Sequence, residues 1–372
     1  MAKKKQAPPA SLASLSFERP IEDVQHRLGE LEELAQKTSH DLSEELNFYR
    51  DRLARLTREI YSDLSAWQRV QVARHPNRPL ASDYIEYLCD DWVELHGDGA
   101  FGNDQAIVTG LATIRGRQVM LIGHRKGKHT KERLACNFGS AHPEGYRKAL
   151  RKMQLAERMG LPIICLVNTP GAYPGVAAEE RGQARAIAEN IYHMFSLRVP
   201  ILVLVIGEGG SGGALGLGIG DKVGMLENAW YSVISPEGCA SILWRSAEGK
   251  ERAAEALQLT APSLHRLGIV DEVVAEPLGA AHHHREQAMD QVADTFERWL
   301  SELESVPIDE LLERRYQKFR KIAMAEEALN AALPVAAAAS EAAEGQESAD
   351  SAEESAPQEA PQAEDVQNRT DG

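Results

Sequence analysis

Cysteine is scarce in this chain of 372 residues. Its four cysteines, Cys89, Cys136, Cys165 and Cys239, are scattered, and none pairs as C-x-x-C. That spacing excludes a zinc ribbon or a dithiol redox motif. With no signal peptide in evidence, it predicts free thiols in a reducing, cytoplasmic setting. Long apolar runs are missing too, since no stretch approaches the ~18 uninterrupted apolar residues that a membrane span needs. Basic residues are in the minority, 41 Lys and Arg against 56 Asp and Glu, for a net charge of -15. Ten of those acids and a single arginine fall in residues 334–372, so this tail carries -9 and the rest of the chain -6. No overall electrostatic footprint for nucleic acid is left. The tail also lacks large apolar side chains; residues 331–372, built of Ala, Glu, Ser, Pro and Gln, are expected to be disordered.

What remains is 43% hydrophobic and 26% charged over the whole chain, enough for a sizeable core. Residues 1–18, with Lys3, Lys4 and Lys5 ahead of Pro8 and Pro9, are expected to be a flexible start. Residues 19–78 carry two helical stripes. Ile21, Val24, Leu28 and Leu31 form one, and Leu42, Leu46, Tyr49, Leu53, Leu56 and Ile60 the other. A break at Thr38-Ser39-His40-Asp41 makes them a helical hairpin, read as a packing element or subunit interface. From 79 to 330 the pattern alternates. Strands are predicted at 106–111, 119–123, 163–167, 201–206, 230–234 and 269–274. Helices are predicted at 143–159, 179–197, 212–218, 248–257, 286–303 and 308–328. Fully apolar strands such as 201–206 indicate burial on both faces, and the alternation predicts an α/β core on parallel strands.

Ligands of open α/β sheets sit at the carboxyl ends of strands, so the loops there matter most. After 163–167 comes Asn168-Thr169-Pro170-Gly171-Ala172-Tyr173-Pro174-Gly175, a stiff turn able to bring bare backbone to a ligand or simply to connect strand and helix. After 201–206 comes Gly207-Glu208-Gly209-Gly210-Ser211-Gly212-Gly213-Ala214. Unpaired amides at a helix start, with glycines admitting the ligand, suit a developing oxyanion. The same residues match the dinucleotide pattern G-x-G-x-x-G, with Glu227 as its acid. They also match the nucleophile elbow G-x-S-x-G on Ser211, with Asp221, Asp271 and His265 as nominal partners. All three readings fit the spacing. After 230–234, Ser235 and Pro236 read as helix cap and first helical residue. The basic segment 124–133, with Lys126, Lys128 and Lys131, follows strand 119–123 and suits phosphate groups or a solvated loop equally.

Taken together and in order, these segments resemble the α-subunit family of the bacterial and plastid acetyl-CoA carboxylase carboxyltransferase. The matching runs are Gly145-Tyr146-Arg147-Lys148-Ala149-Leu150, residues 169–175, 178–183, 205–215 and 231–244, with Ala66-Trp67-Gln68 and Ala73-Arg74-His75-Pro76 near the start. The likeness covers residues 20–325. Departures are Ala177 in place of the family's glycine, Ala141-His142 before Pro143, and His282-His283-His284-Arg285, which is read as surface.

The resemblance implies an α/β, crotonase-like (ClpP/crotonase) spiral of β-β-α units behind the N-terminal hairpin. It implies an α2β2 assembly with a homologous β subunit that carries the zinc, no metal on this chain, and an active site at their interface. Carboxybiotin would arrive on a biotin carboxyl carrier protein, made with ATP by a separate biotin carboxylase; this chain has no Walker-type loop. The carboxyl group would pass to acetyl-CoA to give malonyl-CoA for fatty acid synthesis, or to another acyl-CoA such as propionyl-CoA. On this reading the Gly212 and Gly213 amides form one oxyanion hole. Gly209, Gly210, Ser211, Gly171, Ala172 and Tyr173 shape the substrate site, and Lys126, Lys128 and Lys131 are contacts for coenzyme A or the carrier.

Overall fold

A computed structural model describes residues 15–37 and 41–322. The disorder expected of 331–372, most of the flexible start and the break at Thr38-Ser39-His40 lie outside the described residues. Eight strands form one sheet: β1 (Cys89–Glu94), β2 (Ile107–Ile114), β3 (Arg117–His124), β4 (Ile163–Thr169), β5 (Ile201–Gly210), β6 (Lys222–Leu226), β7 (Trp230–Ser232) and β8 (Glu272–Val274). Their order is β1-β2-β3-β4-β5-β6-β8, with β7 paired to the far end of β5. β1, β2 and β3 are antiparallel, and β3-β4-β5-β6-β8 are parallel. β4 and β5 are buried along their whole length, as their unbroken apolar runs required.

Several helix limits follow from caps. Helix Pro143–Met159 opens on proline and stops at Gly160 in the left-handed region (φ 66°), which a residue without Cβ adopts at little cost. Helix Pro236–Trp244 is capped by the Ser235 hydroxyl, which accepts the Gly238 N–H at 3.1 Å. The expected helix 179–197 is two pieces, Val176–Glu180 and Gln183–Met194, parted at Gly182 (φ 81°). The N-terminal hairpin forms as α1 (Arg19–Lys37) and α2 (Ser43–Ser62), followed by α3 (Ala66–Ala73). Residues 16–18 are a helical turn, and Glu18 is buried, so the flexible start is shorter than expected.

Candidate active site

β5 runs on past its apolar residues through Gly207–Gly210 and ends where the chain turns at Ser211. Ser211 has φ 53°, a strained value for a residue with a side chain. The helix that follows, Ser211–Leu215, has five residues and closes at Gly216; the sequence predicted 212–218. Glycine is a poor helix former, so the run supports barely one turn. A dipole over one turn is small. The electrostatic asset here is instead the unpaired first-turn amides of Ser211, Gly212 and Gly213, which meet no protein acceptor among the described residues.

The loop after β4 packs on this turn backbone to backbone. A methyl group at Gly210 would lie 2.2 Å from the Pro170 carbonyl oxygen, and one at Gly213 would lie 2.5 Å from the Ala172 nitrogen. Gly209 is likewise filled, by the Tyr231 ring at 2.8 Å. At Gly212 the nearest atom is Ile187 Cδ1 at 3.6 Å, an ordinary contact. Glycine is therefore demanded by packing at 209, 210 and 213, and by nothing in the protein at 212. The partner loop is itself fixed. The Tyr173 N–H donates to the Ala141 carbonyl at 3.0 Å, and Gln183 Nε2 donates to the carbonyls of Ala141 (2.8 Å) and Tyr173 (3.0 Å). The Tyr173 ring stacks on His142 with centroids 4.1 Å apart.

Two cavities flank the glycine turn. One, of about 390 Å³, is polar and is walled by Arg74, Lys126, Arg133, Asn168, Pro170 and Glu208. The other, of about 300 Å³, is apolar and is walled by Ser211, Leu215, Tyr231, Val233, Leu257 and Ile269. Between them, Glu208 is buried and paired with both Lys126 and Arg74. Burial alone would raise its carboxyl, but the Lys126 and Arg74 charges outweigh that and hold it below the usual carboxylate range. Of the three predicted lysines, the structure brings only Lys126 to the turn, already engaged by Glu208. Lys128 is drawn off to Asp83 (2.8 Å) and Glu86 (3.4 Å), and Lys131 stands exposed outside both cavities. Glu208, Arg74 and Asn168 were missed as site residues. A lone acid inside a glycine-rich strand end was the signal available for Glu208.

The rival readings of the turn fail on geometry. No histidine or carboxylate lines the cavity beside Ser211, and the nominal partners are engaged elsewhere. Asp221 binds Arg315, Asp271 binds Lys318, and His265 Nδ1 lies 3.2 Å from the Val270 carbonyl oxygen. The dinucleotide pattern needs its first glycines in the turn, but Gly207, Gly209 and Gly210 are still in β5. The backbone approach they should offer a diphosphate is filled, by Asn168 at Gly207, the Tyr231 ring at Gly209 and the Pro170 carbonyl at Gly210. Glu227 does follow the next strand, β6, yet it accepts the Glu276 N–H.

Two buried histidine sites also stand out. His124, at the end of β3, is fully buried against the backbones of Gly213 and Leu166, whose weak hydrogen bonds favour its charged form. Burial, then the Lys126 charge, pushes it down to about 3. Elsewhere, His282 is buried rather than on the surface, because the Glu18 carboxylate accepts from it at 2.9 Å and from Tyr61. Glu18, His75 and His282 come close enough to suggest a metal site. Yet His75 Nδ1 accepts the Asn77 N–H at 3.2 Å. Its Nε2 then carries the proton, which leaves no lone pair aimed into the cluster.

The site is thus a backbone device: a bare strand end and unpaired amides on a parallel sheet, with no acid–base pair facing the turn. Among solved structures, a transcarboxylase 12S with hydrolysed methylmalonyl-coenzyme A bound shares the fold at TM-score 0.51 and 20% identity. The match covers 64% of this chain and 45% of that one. The chain belongs to the acetyl co-enzyme A carboxylase carboxyltransferase-like family, whose model matches residues 14–323. It is 53% identical over 312 residues to the acetyl-coenzyme A carboxylase carboxyl transferase subunit alpha of Rhodopirellula baltica, covering 83% of this chain and 96% of that protein. Against the Methylococcus capsulatus protein of the same name it is 50% identical over 316 residues, covering 85% and 98%.

Proposed function

We propose that this chain is the alpha subunit of an acetyl-CoA carboxylase carboxyltransferase, passing a carboxyl group from carboxybiotin on a carrier protein to acetyl-CoA. The observation that carries the reading is the turn itself, with amides presented and no side-chain base. Carboxyl transfer places negative charge on two oxygens in succession, the ureido oxygen of the donor and the thioester oxygen of the acceptor. The donor anion can take the acceptor's methyl proton, so the protein needs preorganised donors rather than an acid–base pair. We assign the Gly212 and Gly213 amides to one of those oxygens, with Gly209, Gly210, Ser211 and residues 171–173 shaping the wall. A donor of this kind is worth roughly 3–4 kcal/mol of barrier. The apolar cavity beside Ser211 offers a dry wall for the reacting groups.

A second hole must come from elsewhere, and we infer that a β subunit carrying the zinc supplies it in an α2β2 complex. Large apolar side chains left exposed support this: Val233, on the cavity beside Ser211, and Ile242 and Leu243, on helix Pro236–Trp244, are 76%, 71% and 63% exposed, as expected of a surface awaiting a partner. Among the described residues no helix is long and apolar enough to cross a membrane. ATP would be used by a separate biotin carboxylase, and Lys126, Lys128 and Lys131 remain candidate contacts for coenzyme A or carrier. The test is malonyl-CoA:biotin carboxyl exchange. The chain alone should be nearly inactive and gain exchange on adding the β subunit, with propionyl-CoA assayed alongside acetyl-CoA. Full exchange from the isolated chain would end the two-subunit reading.

A further inference from the structure

The glycine turn is held by backbone contacts, from residues 170–172 and from β7, and by very few side chains. From 207 to 213, five of seven residues are glycines, and the Ser211 side chain makes no hydrogen bond among the described residues. Glu208 is the anchored side chain of the run. Its backbone N–H donates to Asn168 Oδ1 at 3.1 Å, and its carboxylate is gripped from two sides. Lys126, from the loop after β3, binds Oε2, and Arg74 Nε, just past α3, donates to Oε1 at 2.7 Å. Arg74 reaches on to Glu237 at 2.5 Å, in the first turn of helix Pro236–Trp244. The Trp67 and Trp230 rings lie 5.9 and 5.7 Å from its guanidinium and fix its plane. Lys126, Glu208, Arg74 and Glu237 thus form a chain of alternating charge across four elements.

We propose that Glu208 is the positioning residue of the oxyanion turn, and that the chain Lys126–Glu208–Arg74–Glu237 sets where the amides three to five residues further on point. This rests on the carboxyl-transfer reading above. A partly buried ion chain of this kind returns little net stability over an apolar substitute; what it supplies here, beside the backbone contacts, is a side-chain tether on a glycine-rich segment. Glu208 touches no reacting atom and acts through the backbone it holds.

The experiment uses the full chain in complex with its β partner. Glu208→Gln keeps the size and removes the charge. Exchange kcat should fall by about a hundredfold, the loss expected of a donor misplaced by ~1 Å. KM for the acyl-CoA should stay within about twofold and the complex should sediment as wild type. Glu208→Asp, which keeps charge but loses reach, should fall between. Glu237→Gln, one link further out, should lower kcat by about tenfold. By hydrogen exchange, amides 207–216 should open faster in Glu208→Gln while the rest of the sheet does not change. Wild-type kcat in Glu208→Gln would overturn the proposal, as would loss of assembly with unaltered exchange at 207–216. If Glu208→Gln does not fold, Glu237→Gln and Arg74→Lys carry the test by the same readouts. An inactive wild-type complex would instead count against carboxyl transfer, and positioning would then be decided by the exchange of 207–216 alone.

Discussion

Two neighbouring glycines of the turn should respond in opposite ways to the same substitution. At Gly213 an added Cβ would sit 2.5 Å from the Ala172 nitrogen and 2.6 Å from the Gly171 carbonyl carbon, both backbone atoms that cannot rotate away. Relief to an ordinary contact requires the two loops to part by about 1 Å, at an overpacking cost of roughly 1–3 kcal/mol. The amides move with the loop, so about a hundredfold in kcat should go as well. At Gly212 the same methyl meets only Ile187 Cδ1 at 3.6 Å. Gly212→Ala should therefore leave stability unchanged, or raise it by up to ~1 kcal/mol through helix propensity and a less flexible unfolded chain. Its methyl would stand in space the protein does not use. If a reacting oxygen approaches there, exchange should still fall.

The assay pairs urea unfolding of each variant with carboxyl exchange by the assembled complex. Gly213→Ala should lose stability and activity together, and Gly212→Ala activity alone. Wild-type stability in Gly213→Ala would refute the backbone-on-backbone contact. Full activity in Gly212→Ala would refute ligand approach at that position, leaving Gly213 as the surviving candidate.

Three shorter predictions follow from side chains around the fold. Ser211→Ala should keep exchange activity, and Ser211 should resist fluorophosphonate labelling, because no base faces it; covalent labelling would revive the hydrolase reading. His124→Leu removes a buried imidazole that has only weak backbone partners at Gly213 and Leu166, so at pH 7 stability should hold within about 1 kcal/mol. In the wild type the unfolded state takes up a proton near the ordinary 6.5 and the folded state only near 3. His124 therefore adds no protonation cost at pH 7, and its proton-linked destabilisation grows as pH falls through that window. His124→Leu should flatten this acid limb in urea titrations, and a large loss at pH 7 would reveal a hidden partner. Glu18→Gln should cost about 2–3 kcal/mol at pH 7, since His282 and Tyr61 lose a charged acceptor. Burial would raise the Glu18 carboxyl, yet hydrogen bonds from His282, His283 and Tyr61 bring it far below 4.5. The wild-type advantage should thus survive mild acid and fade only below the usual carboxylate range, which unfolding measured from pH 7 to pH 3 would check.

How much of this was legible depended on how far each residue's partners lie along the chain. β5 could be read from its unbroken apolar run and helix Pro143–Met159 from its own ends, because both signals are local. β6 was missed because Gly224 interrupts it; the glycine is there for Trp299, whose ring would lie 2.3 Å from a Cβ at that position. β1 sits at the sheet edge, largely exposed and carrying Asp90 and Asp91, so it lacks the buried strand's signature. The triplet His282-His283-His284 looked like surface because the carboxylate that buries its first member, Glu18, lies at the other end of the chain. In the site, the glycine spacing allowed three chemistries. What separates them lies outside 207–213: the loop after β4, which fills the space at Gly210 and Gly213, and the absence of a histidine or carboxylate beside Ser211.

A site made of amides has a further consequence, because amides do not titrate. Four ionisable side chains around the turn are moved away from neutrality. Glu208 is held below the usual carboxylate range, and His124 and His75 are pushed to about 3 and about 4, first by burial. Tyr231, buried beside the apolar cavity, is pushed up to about 12. These four groups should then contribute no ionisation to exchange kcat over roughly pH 7–9. Any break in that range belongs to another group. The check is the pH profile of the assembled complex, repeated with His124→Leu and with His142→Gln, since the His142 ring stacks on Tyr173 at the site wall. Their profiles should superimpose on the wild type after scaling. A break that vanishes in either variant would place an acid–base group on this chain, and the purely backbone account of the site would fall with it.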